Sequence, residues 1–251
     1  MPAQRLRLKQ ALHSWDRHCD AEAPSRIVSA FSTGLTNCSF LIVTGDNFFV
    51  LRLHNLASSA LGINRQNEEL ILSVLAKKNI APAPIYFSAC GGFSVLSYAN
   101  GRVWTQRDFS SSFQRTELLQ AIECYQQCDF SLPEFDYVRH LQCYWKRFCR
   151  AYPGDVRGLQ HRWRVFLNRL ILEQNTCRGR VLVHHDLNPS NIIETKCGIL
   201  ILDWEYAGIG FKGVDEASVL SGGNKTHAVS LQKKRSFISE LLFWLTRLWC
   251  P

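Results

Sequence analysis

The sequence predicts an α+β protein with a β-rich first part and a larger, mostly helical second part. Short runs of β-branched and aromatic residues, bounded by turn residues, occupy roughly the first hundred positions. Long segments with helical spacing of apolar residues follow Asn100-Gly101. The chain of 251 residues is 46% hydrophobic, 12% aromatic and 20% charged, which is ordinary globular usage and excludes disordered, collagen-like and coiled-coil proteins.

The first part alternates strand-like runs with turn signals. Predicted strands cover residues 39–43, 48–53, 85–87 and 93–96. The first two form a hairpin around the turn cluster at 44–47, and Gly91-Gly92 separates the last two. A helix is predicted over 64–78, because Leu70, Ile71, Val74 and Leu75 recur at helical spacing before the prolines at 82 and 84 end the pattern.

The second part is dominated by helical patterns over 114–127, 136–150 and 159–175. The last of these sets an apolar stripe, from Leu159 and Trp163 to Leu170, against a basic face. Core packing is the favoured interpretation of the stripe, and contact of a basic amphipathic helix with a membrane or a partner is the alternative. We place the domain boundary near residues 97–101, which divides the chain into 1–98 and 99–251.

Charge and cysteine content indicate little about the partner. The net charge of +8 and the isoelectric point near 9.1 favour anionic partners in general, although a solvated basic surface explains most of the cations. The ten cysteines show no metal-ligand spacing, so we expect free thiols in a reducing compartment. Neither a secretory signal nor an apolar run of membrane-spanning length is visible, so a cytoplasmic protein without a membrane span is expected.

The segment 181–205 carries the chemistry. Short β runs at 192–194 and 199–202 predict a hairpin that turns near Gly198. Such a hairpin sets Asn191 and Asp203 opposite each other at its open end, with Asp186 just before that end. Two carboxylates and an amide oxygen are the kind of ligands that Mg²⁺ prefers.

This segment resembles a known superfamily. His184-x-Asp186-Leu187-x-x-x-Asn191 fits the kinase catalytic-loop template, and Asp203-Trp204-Glu205 stands in place of the D-F-G element. With Tyr206-Ala207-Gly208 after it, this variant is similar to the aminoglycoside phosphotransferase and choline kinase superfamily, and most similar to bacterial thiamine kinases and choline/ethanolamine kinases. The resemblance covers roughly residues 31–220. It implies a bilobal protein-kinase-like fold, with a small β-rich N-lobe and a larger, mostly helical C-lobe.

The same resemblance implies a nucleotide site in the first part of the chain. Arg52 stands where protein kinases carry the strand lysine and would pair with the α- and β-phosphates of ATP. Glu68 would hold Arg52 in place, but Glu69 is a rival, and only one of two neighbouring helical positions can face inward. The implied nucleotide-binding residues are Gly34, Thr36, Asn37, Ser39, Arg52, Glu68, Leu96 and Tyr98.

The resemblance also assigns the catalytic roles. Asp186 would accept the proton of the acceptor hydroxyl or orient that hydroxyl toward the γ-phosphate, and Asn191 and Asp203 would hold Mg²⁺. His184 and Asp215 would support the catalytic loop, while His185 is interpreted as incidental. Trp204, Glu205 and Tyr206 would bind a cationic acceptor through aromatic faces and a carboxylate, with core packing of the two aromatic residues as an equal alternative.

The expected activity is ATP- and Mg²⁺-dependent phosphorylation of the hydroxyl of a small cationic alcohol, with thiamine first and choline or ethanolamine next. An aminoglycoside phosphotransferase is the alternative, although the basic and apolar tail over 233–245 argues against it. A catalytically inactive kinase-fold binding protein is a second alternative, and a nucleic-acid binder lacks any recognisable module. The chain departs from the family's pattern at 210–212 and at Glu216, and it ends early, which places the acceptor site in question.

Overall fold

The computed structural model describes residues 2–13, 15, 24, 26–31, 37–55, 62–88, 92–221 and 236–249. It divides into two compact units. The first comprises Met1–Val103 together with Ile192–Tyr206, and the second comprises Trp104–Asn191 together with Ala207–Pro251. The sequence-based boundary after residue 98 remains a prediction, and the contacts differ from it in grouping Ile192–Tyr206 with the first unit.

The first unit is built on a five-stranded antiparallel sheet. Its strands are β1 (Arg26–Ala30), β2 (Asn37–Thr44), β3 (Asn47–His54), β4 (Pro84–Phe87) and β5 (Phe93–Ser97), in the order β1-β2-β3-β5-β4. The predicted hairpin is confirmed, since Thr44 pairs with Asn47 around a two-residue turn. Gly45 in that turn has φ 54°, a conformation that glycine adopts without strain. The strands predicted at 85–87 and 93–96 are confirmed as β4 and β5.

Two α-helices lie in the described part of the first unit. Helix α1 (Pro2–His13), which the sequence pattern did not predict, places Ala11 in the apolar cluster of the sheet with Ile42 and Leu51. Helix α2 (Arg65–Ala76) begins after Asn64, whose side chain accepts hydrogen bonds from two backbone N–H groups of the first turn.

The inward face of α2 differs from the predicted stripe. Its buried residues are Glu68, Ile71, Leu72 and Leu75, whereas Leu70 is 43% exposed. The run of apolar residues from 70 to 72 contains two possible stripes. Periodicity alone gives no way to choose between them.

The segment Ile192–Tyr206 adds a second, three-stranded sheet to the first unit. Its strands are β6 (Arg102–Val103), β8 (Ile192–Thr195) and β9 (Gly198–Ile201), in the order β6-β8-β9. The predicted hairpin of β8 and β9 is confirmed, with Thr195 paired to Gly198. Just before β6, the chain runs so close to β8 that a Cβ atom on Gly101 would lie 2.2 Å from the carbonyl oxygen of Glu194. Only glycine fits at this position.

The second unit is mainly helical. Its elements are α3 (Gln106–Ser110), α4 (Ser112–Gln126), α5 (Tyr137–Ala151), α6 (Pro153–Thr176), β7 (Val181–Val183), β10 (Gly208–Gly210), α7 (Val214–Leu220) and α8 (Phe237–Trp249). The three helices predicted from periodicity are confirmed as α4, α5 and α6. Helix α6 begins earlier than predicted, because Pro153 occupies its first turn, where the missing N–H costs nothing. Strands β7 and β10 pair antiparallel.

Aromatic residues fill the core of the second unit. Trp163, Phe166 and Leu170 of α6 are buried there with Trp244 of α8, which confirms core packing for the apolar stripe of α6. The ring of Trp163 stacks on Trp145 at 4.8 Å and meets Trp244 edge-on at 5.1 Å. Among the described residues, no helix is long and apolar enough to cross a membrane.

Candidate active site

A buried arginine lies at the centre of the first unit's sheet. Arg52 projects from β3, which is flanked by β2 and β5, and its side chain is almost fully buried. Its Nη1 donates to Glu68 Oε1 at 2.9 Å, and its Nη2 donates to Asp203 and lies 3.4 Å from Glu205 Oε2. Arg52 is therefore a buried residue of the sheet and not an exposed strand arginine.

A second arginine completes this cluster. Arg65, in the first turn of α2, donates to Glu68 Oε2 at 2.5 Å and lies 3.0 Å from Glu205 Oε2. Asn37 at the start of β2 donates to the same Glu205 oxygen at 2.9 Å and accepts from Arg65 at 3.1 Å. We call Arg52, Arg65, Glu68, Asp203 and Glu205 the charge cluster.

The pKa shifts in the charge cluster follow from burial and from opposite charges. Burial alone lowers the pKa of Arg52, but the carboxylates of Asp203, Glu68 and Glu205 outweigh it and raise the pKa above its usual value. For Glu68 the effect of burial is the larger one, because burial raises its pKa more than Arg52 and Arg65 lower it.

The charge cluster contains two guanidinium groups and three carboxylates, so it is one positive charge short of neutrality. Two carboxylate oxygens of the charge cluster have no hydrogen-bond partner among the described residues. Asp203 follows β9 in a left-handed conformation with φ 63°, and its side chain is 30% exposed. One of its oxygens accepts from Arg52, and the other has no partner among the described residues. Glu205 Oε1 is buried and likewise has no hydrogen-bond partner there. The surplus negative charge and the unpartnered oxygens suit a hard cation such as Mg²⁺.

In the second unit, the loop after β7 positions Asp186. The backbone N–H of Asp186 donates to His184 Nδ1 at 3.2 Å. The side-chain amide of Asn191 donates to the Asp186 carbonyl at 2.9 Å and to its carboxylate at 3.2 Å. The side-chain nitrogen of Asn191 is thus directed at Asp186. The side-chain oxygen of Asn191, Oδ1, accepts no hydrogen bond from the described residues and is suited to a cation.

The buried carboxylate of Asp215 fixes the backbone of the loop that carries Asp186. Asp215, in the first turn of α7, accepts from the backbone N–H groups of His184 at 2.7 Å and of His185 at 3.1 Å. It also accepts from the hydroxyl of Tyr125 at 2.6 Å. Burial raises the pKa of Asp215 above its usual value, despite these donors. Tyr125 was missed by sequence reasoning, because its ring fits the apolar stripe of α4 and nothing in the pattern marks its hydroxyl.

The sequence suggested that His185 is incidental, but in the structure its ring makes specific contacts. It has φ 69°, and its Nε2 lies 2.7 Å from the hydroxyl of Tyr137. Its ring stacks on Phe135 at 4.2 Å. A Cβ atom on Gly210 would lie 2.2 Å from the same hydroxyl, so glycine is needed there. The ring of His185 therefore fixes a left-handed turn directly before Asp186.

The predicted acceptor residues lie in the interior. Trp204 and Tyr206 are buried, and the indole N–H of Trp204 donates to the carbonyl of Ile201 at 2.8 Å. Glu205 is engaged by Arg65 and Asn37. The structure favours the core interpretation of both aromatic residues, because rings buried in this way present no open face to a cation.

Of the other positions that the sequence predicts to bind the nucleotide, Ser39 and Leu96 lie in the sheet of the first unit. Ser39 lies directly opposite Arg52 in the ladder of β2 and β3. Leu96 is buried in β5, and the ring of Tyr98 lies 5.9 Å from that of Phe48. Gly34 and Thr36 lie outside the described residues. Glu68 rather than Glu69 faces Arg52, and Glu69 is exposed.

Comparisons with known proteins identify the family. Residues 27–232 match the family model described as "Phosphotransferase enzyme family". No curated protein matches the chain in sequence. Two of three similar solved structures are named as choline or choline/ethanolamine kinases and the third as an aminoglycoside phosphotransferase, and each is under 20% identical to this chain.

The choline kinase LicA from Streptococcus pneumoniae superposes with a TM-score of 0.66 and 18% identity, over 98% of this chain and 89% of that one. A choline/ethanolamine kinase family protein from Mesorhizobium loti superposes with a TM-score of 0.64 and 19% identity, over 98% of this chain and 76% of that one. A thermostable mutant of the aminoglycoside phosphotransferase APH(4)-Ia, solved with ADP and hygromycin B, superposes with a TM-score of 0.64 and 15% identity, over 96% of this chain and 88% of that one. The fold is thus protein-kinase-like, as the sequence predicted.

The match to the family model extends over most of the chain and includes the charge cluster, Asp186, Asn191 and Asp215. The chain therefore belongs to the phosphotransferase enzyme family.

Proposed function

We propose that this protein transfers the γ-phosphoryl group of ATP, with Mg²⁺, to the hydroxyl of a small cationic alcohol. The resemblance of the sequence favours thiamine, followed by choline or ethanolamine. Kinases named for choline and for ethanolamine are among the similar structures, and a similar phosphotransferase was solved with ADP.

The burial of Arg52 between Glu68 and Asp203 is the observation that carries the proposal. A buried arginine costs free energy unless it is paired, and three carboxylates surround this one. A guanidinium group fixed in this way presents its charge to the α- and β-phosphates of ATP. Glu68 accepts a hydrogen bond from Arg52, and Arg65 donates to the other oxygen of Glu68.

Asn191 Oδ1 and the free oxygen of Asp203 would hold Mg²⁺. Both are hard oxygen ligands, and Mg²⁺ commonly takes one or two protein ligands and completes its shell with water and phosphate oxygens. When bound, the ion neutralises charge on the β- and γ-phosphates.

Asp186 would receive the proton of the acceptor hydroxyl. The hydroxyl oxygen bonds to the γ-phosphorus as the bond from that phosphorus to the β,γ-bridging oxygen breaks, and ADP leaves with that electron pair. His184 Nδ1 and the amide of Asn191 fix Asp186 for this step. Asp215 acts through the loop backbone and is a positioning residue.

The acceptor class rests on the sequence resemblance and on the acidic residues of the catalytic segment. An aminoglycoside is the alternative acceptor, since a similar phosphotransferase was solved with hygromycin B. Both classes carry positive charge and a hydroxyl, so the acceptor panel has to include both.

A coupled ADP-release assay over thiamine, choline, ethanolamine and several aminoglycosides tests the proposal. We expect Mg²⁺-dependent turnover with one of the small alcohols. Asp186→Ala should lower kcat by about 10²- to 10⁴-fold while leaving ATP binding, measured by calorimetry, unchanged. Cys197→Ala, in the exposed turn between β8 and β9, is the control and should behave like the wild type.

Two results would contradict the proposal. The first is the absence of turnover with every acceptor together with the absence of ATP binding. The second is equal turnover by the Asp186→Ala and wild-type proteins, because a general base is then not needed at this position. ATP binding without any turnover would support the inactive kinase-fold alternative.

A further inference from the structure

The net positive charge of the chain is confined to one helical hairpin. Residues 137–180, which contain α5 and α6, carry ten Lys and Arg but only two Asp and Glu, a net charge of +8. The rest of the chain carries nineteen of each sign. The hairpin therefore accounts for the entire net charge of the protein.

Some of these cations are used within the fold. Arg162 and Arg169 pair with Glu240 and Glu173, and Arg180 pairs with Glu134. Six others on the two helices are exposed and have no carboxylate partner among the described residues. One of them, Arg147, lies over the ring of Tyr144. The other five are Arg139, Lys146, Arg150, Arg157 and Arg164.

The five cations lie on the outer faces of the two helices. Arg139, Lys146 and Arg150 are spaced by seven and four residues on α5, and Arg157 and Arg164 by seven on α6, so each set shares one face. The helices are antiparallel, since the N–H of Val138 at the start of α5 donates to Gln174 near the end of α6. At that end they border an open groove of about 330 Å³.

Aliphatic side chains lie among these cations. On α6, Val165 is 57% exposed and Leu172 is 61% exposed, seven residues apart and on the side opposite the buried Trp163, Phe166 and Leu170. Ile171 is also exposed beside the groove, and Tyr152 is exposed where the two helices join. We call the exposed residues of α5 and α6, together with Tyr152, the basic hairpin face.

We propose that the basic hairpin face binds the surface of an anionic phospholipid bilayer. Arginine and lysine bind lipid phosphates, while aliphatic side chains between them enter the boundary of the acyl chains. A tyrosine is suited to the same depth, because its ring is apolar and its hydroxyl is polar.

The apolar residues decide between a bilayer and a nucleic acid. Duplex phosphates attract the same five cations, but the nucleic-acid backbone offers no apolar layer for Val165 and Leu172. A bilayer binds both kinds of side chain at once. The binding is peripheral, in keeping with the short apolar stretches of the described helices.

Vesicle sedimentation with the whole 251-residue chain tests the proposal. The probes are phosphatidylcholine vesicles with and without about 30% phosphatidylglycerol, in a salt series. We expect binding only to the anionic vesicles, weakening as salt rises. Each cation removed should weaken partitioning about fivefold, so Arg157→Gln/Arg164→Gln should lose about 25-fold.

The matched control is Lys77→Gln/Lys78→Gln, which removes the same charge from exposed positions at the end of α2. It should bind vesicles as the wild type does. Val165→Ser/Leu172→Ser should weaken binding by about fourfold or more at every salt concentration, without changing its salt dependence. Arg139→Gln/Arg150→Gln serves as a second charge variant if the first loses its helical circular dichroism.

Three results would overturn the proposal. One is the absence of binding to anionic vesicles at low salt. Another is an equal loss for the α6 charge variant and the control, because overall charge would then explain the binding. The third is tighter binding to a short DNA duplex that Val165→Ser/Leu172→Ser leaves unchanged, because a nucleic acid would then be the partner.

Discussion

Replacing Glu68 with glutamine tests the charge cluster most directly. Glu68 is 1% exposed and accepts from Arg52 at 2.9 Å and from Arg65 at 2.5 Å. Glutamine keeps the shape of the side chain but replaces one acceptor oxygen with an N–H₂ group that faces a guanidinium donor. One charge-assisted hydrogen bond is lost, and a buried donor is left without an acceptor.

The magnitude can be worked from these contacts. Breaking a buried ion pair by removing one partner costs roughly 3–5 kcal/mol. Asp203 and Glu205 remain beside Arg52, so we expect the low end, about 3 kcal/mol, in the free energy of unfolding. For a chain of this length the melting temperature should fall by about 6–12 °C. The KM for ATP should rise as well, because Arg52 loses the partner that holds it.

Thermal and urea denaturation measure the effect, with Glu69→Gln as the control. Glu69 is the next residue on the same helix and is exposed, so its replacement should change stability by less than about 0.5 kcal/mol. If Glu68→Gln is as stable as Glu69→Gln, the buried pairing contributes nothing and the reasoning is refuted.

Three further predictions follow from the second unit and from the proposed ion. Tyr125→Phe removes the 2.6 Å hydrogen bond to Asp215 and should cost about 1.5–3 kcal/mol in urea denaturation; an unchanged midpoint would show that the hydroxyl is dispensable. Burial lowers the pKa of His140 from 6.5 to about 4; the positive charge of Arg147 adds to this effect, and the carboxylate of Asp136 opposes it. The imidazole of His140 therefore binds a proton less well in the folded state than in the unfolded state. Stability should therefore fall by up to about 3 kcal/mol as the pH drops from 6.5 to 4, and His140→Gln should show a smaller fall in the same titration; an identical fall would contradict the assignment. Chelation of divalent ions should abolish ADP release and added Mg²⁺ should restore it, while turnover that persists in the chelator would contradict the proposed metal.

Local patterns predicted the elements of the fold well. The predicted strands, the two hairpins and the three long helices all have periodicity or turn residues that act over short distances. Strands β1, β6 and β10 and helices α3, α7 and α8 were not predicted. The pattern failed for α1, whose apolar residues are sparse, and for the buried stripe of α2, where Leu72 rather than Leu70 faces inward.

The site was harder to predict, because its contacts join distant segments. The choice of Glu68 over Glu69 depends on how α2 is rotated against Arg52, sixteen residues before it. The burial of Trp204 and Tyr206 depends on packing that the sequence does not record. The hydroxyl of Tyr125 reaches Asp215 over ninety residues, and a single sequence gives no signal for such a pair.

The first unit is discontinuous in the chain, and this has a consequence for biosynthesis. Arg52 and Glu68 leave the ribosome long before Asp203 and Glu205, which lie in the returning segment Ile192–Tyr206. Until that segment emerges, β6 has no strand to pair with and Arg52 lacks two of its three carboxylates. The amino-terminal two fifths of the protein therefore cannot complete its own interior until about a hundred further residues have been made, and its unpaired strand edge stays exposed during that interval.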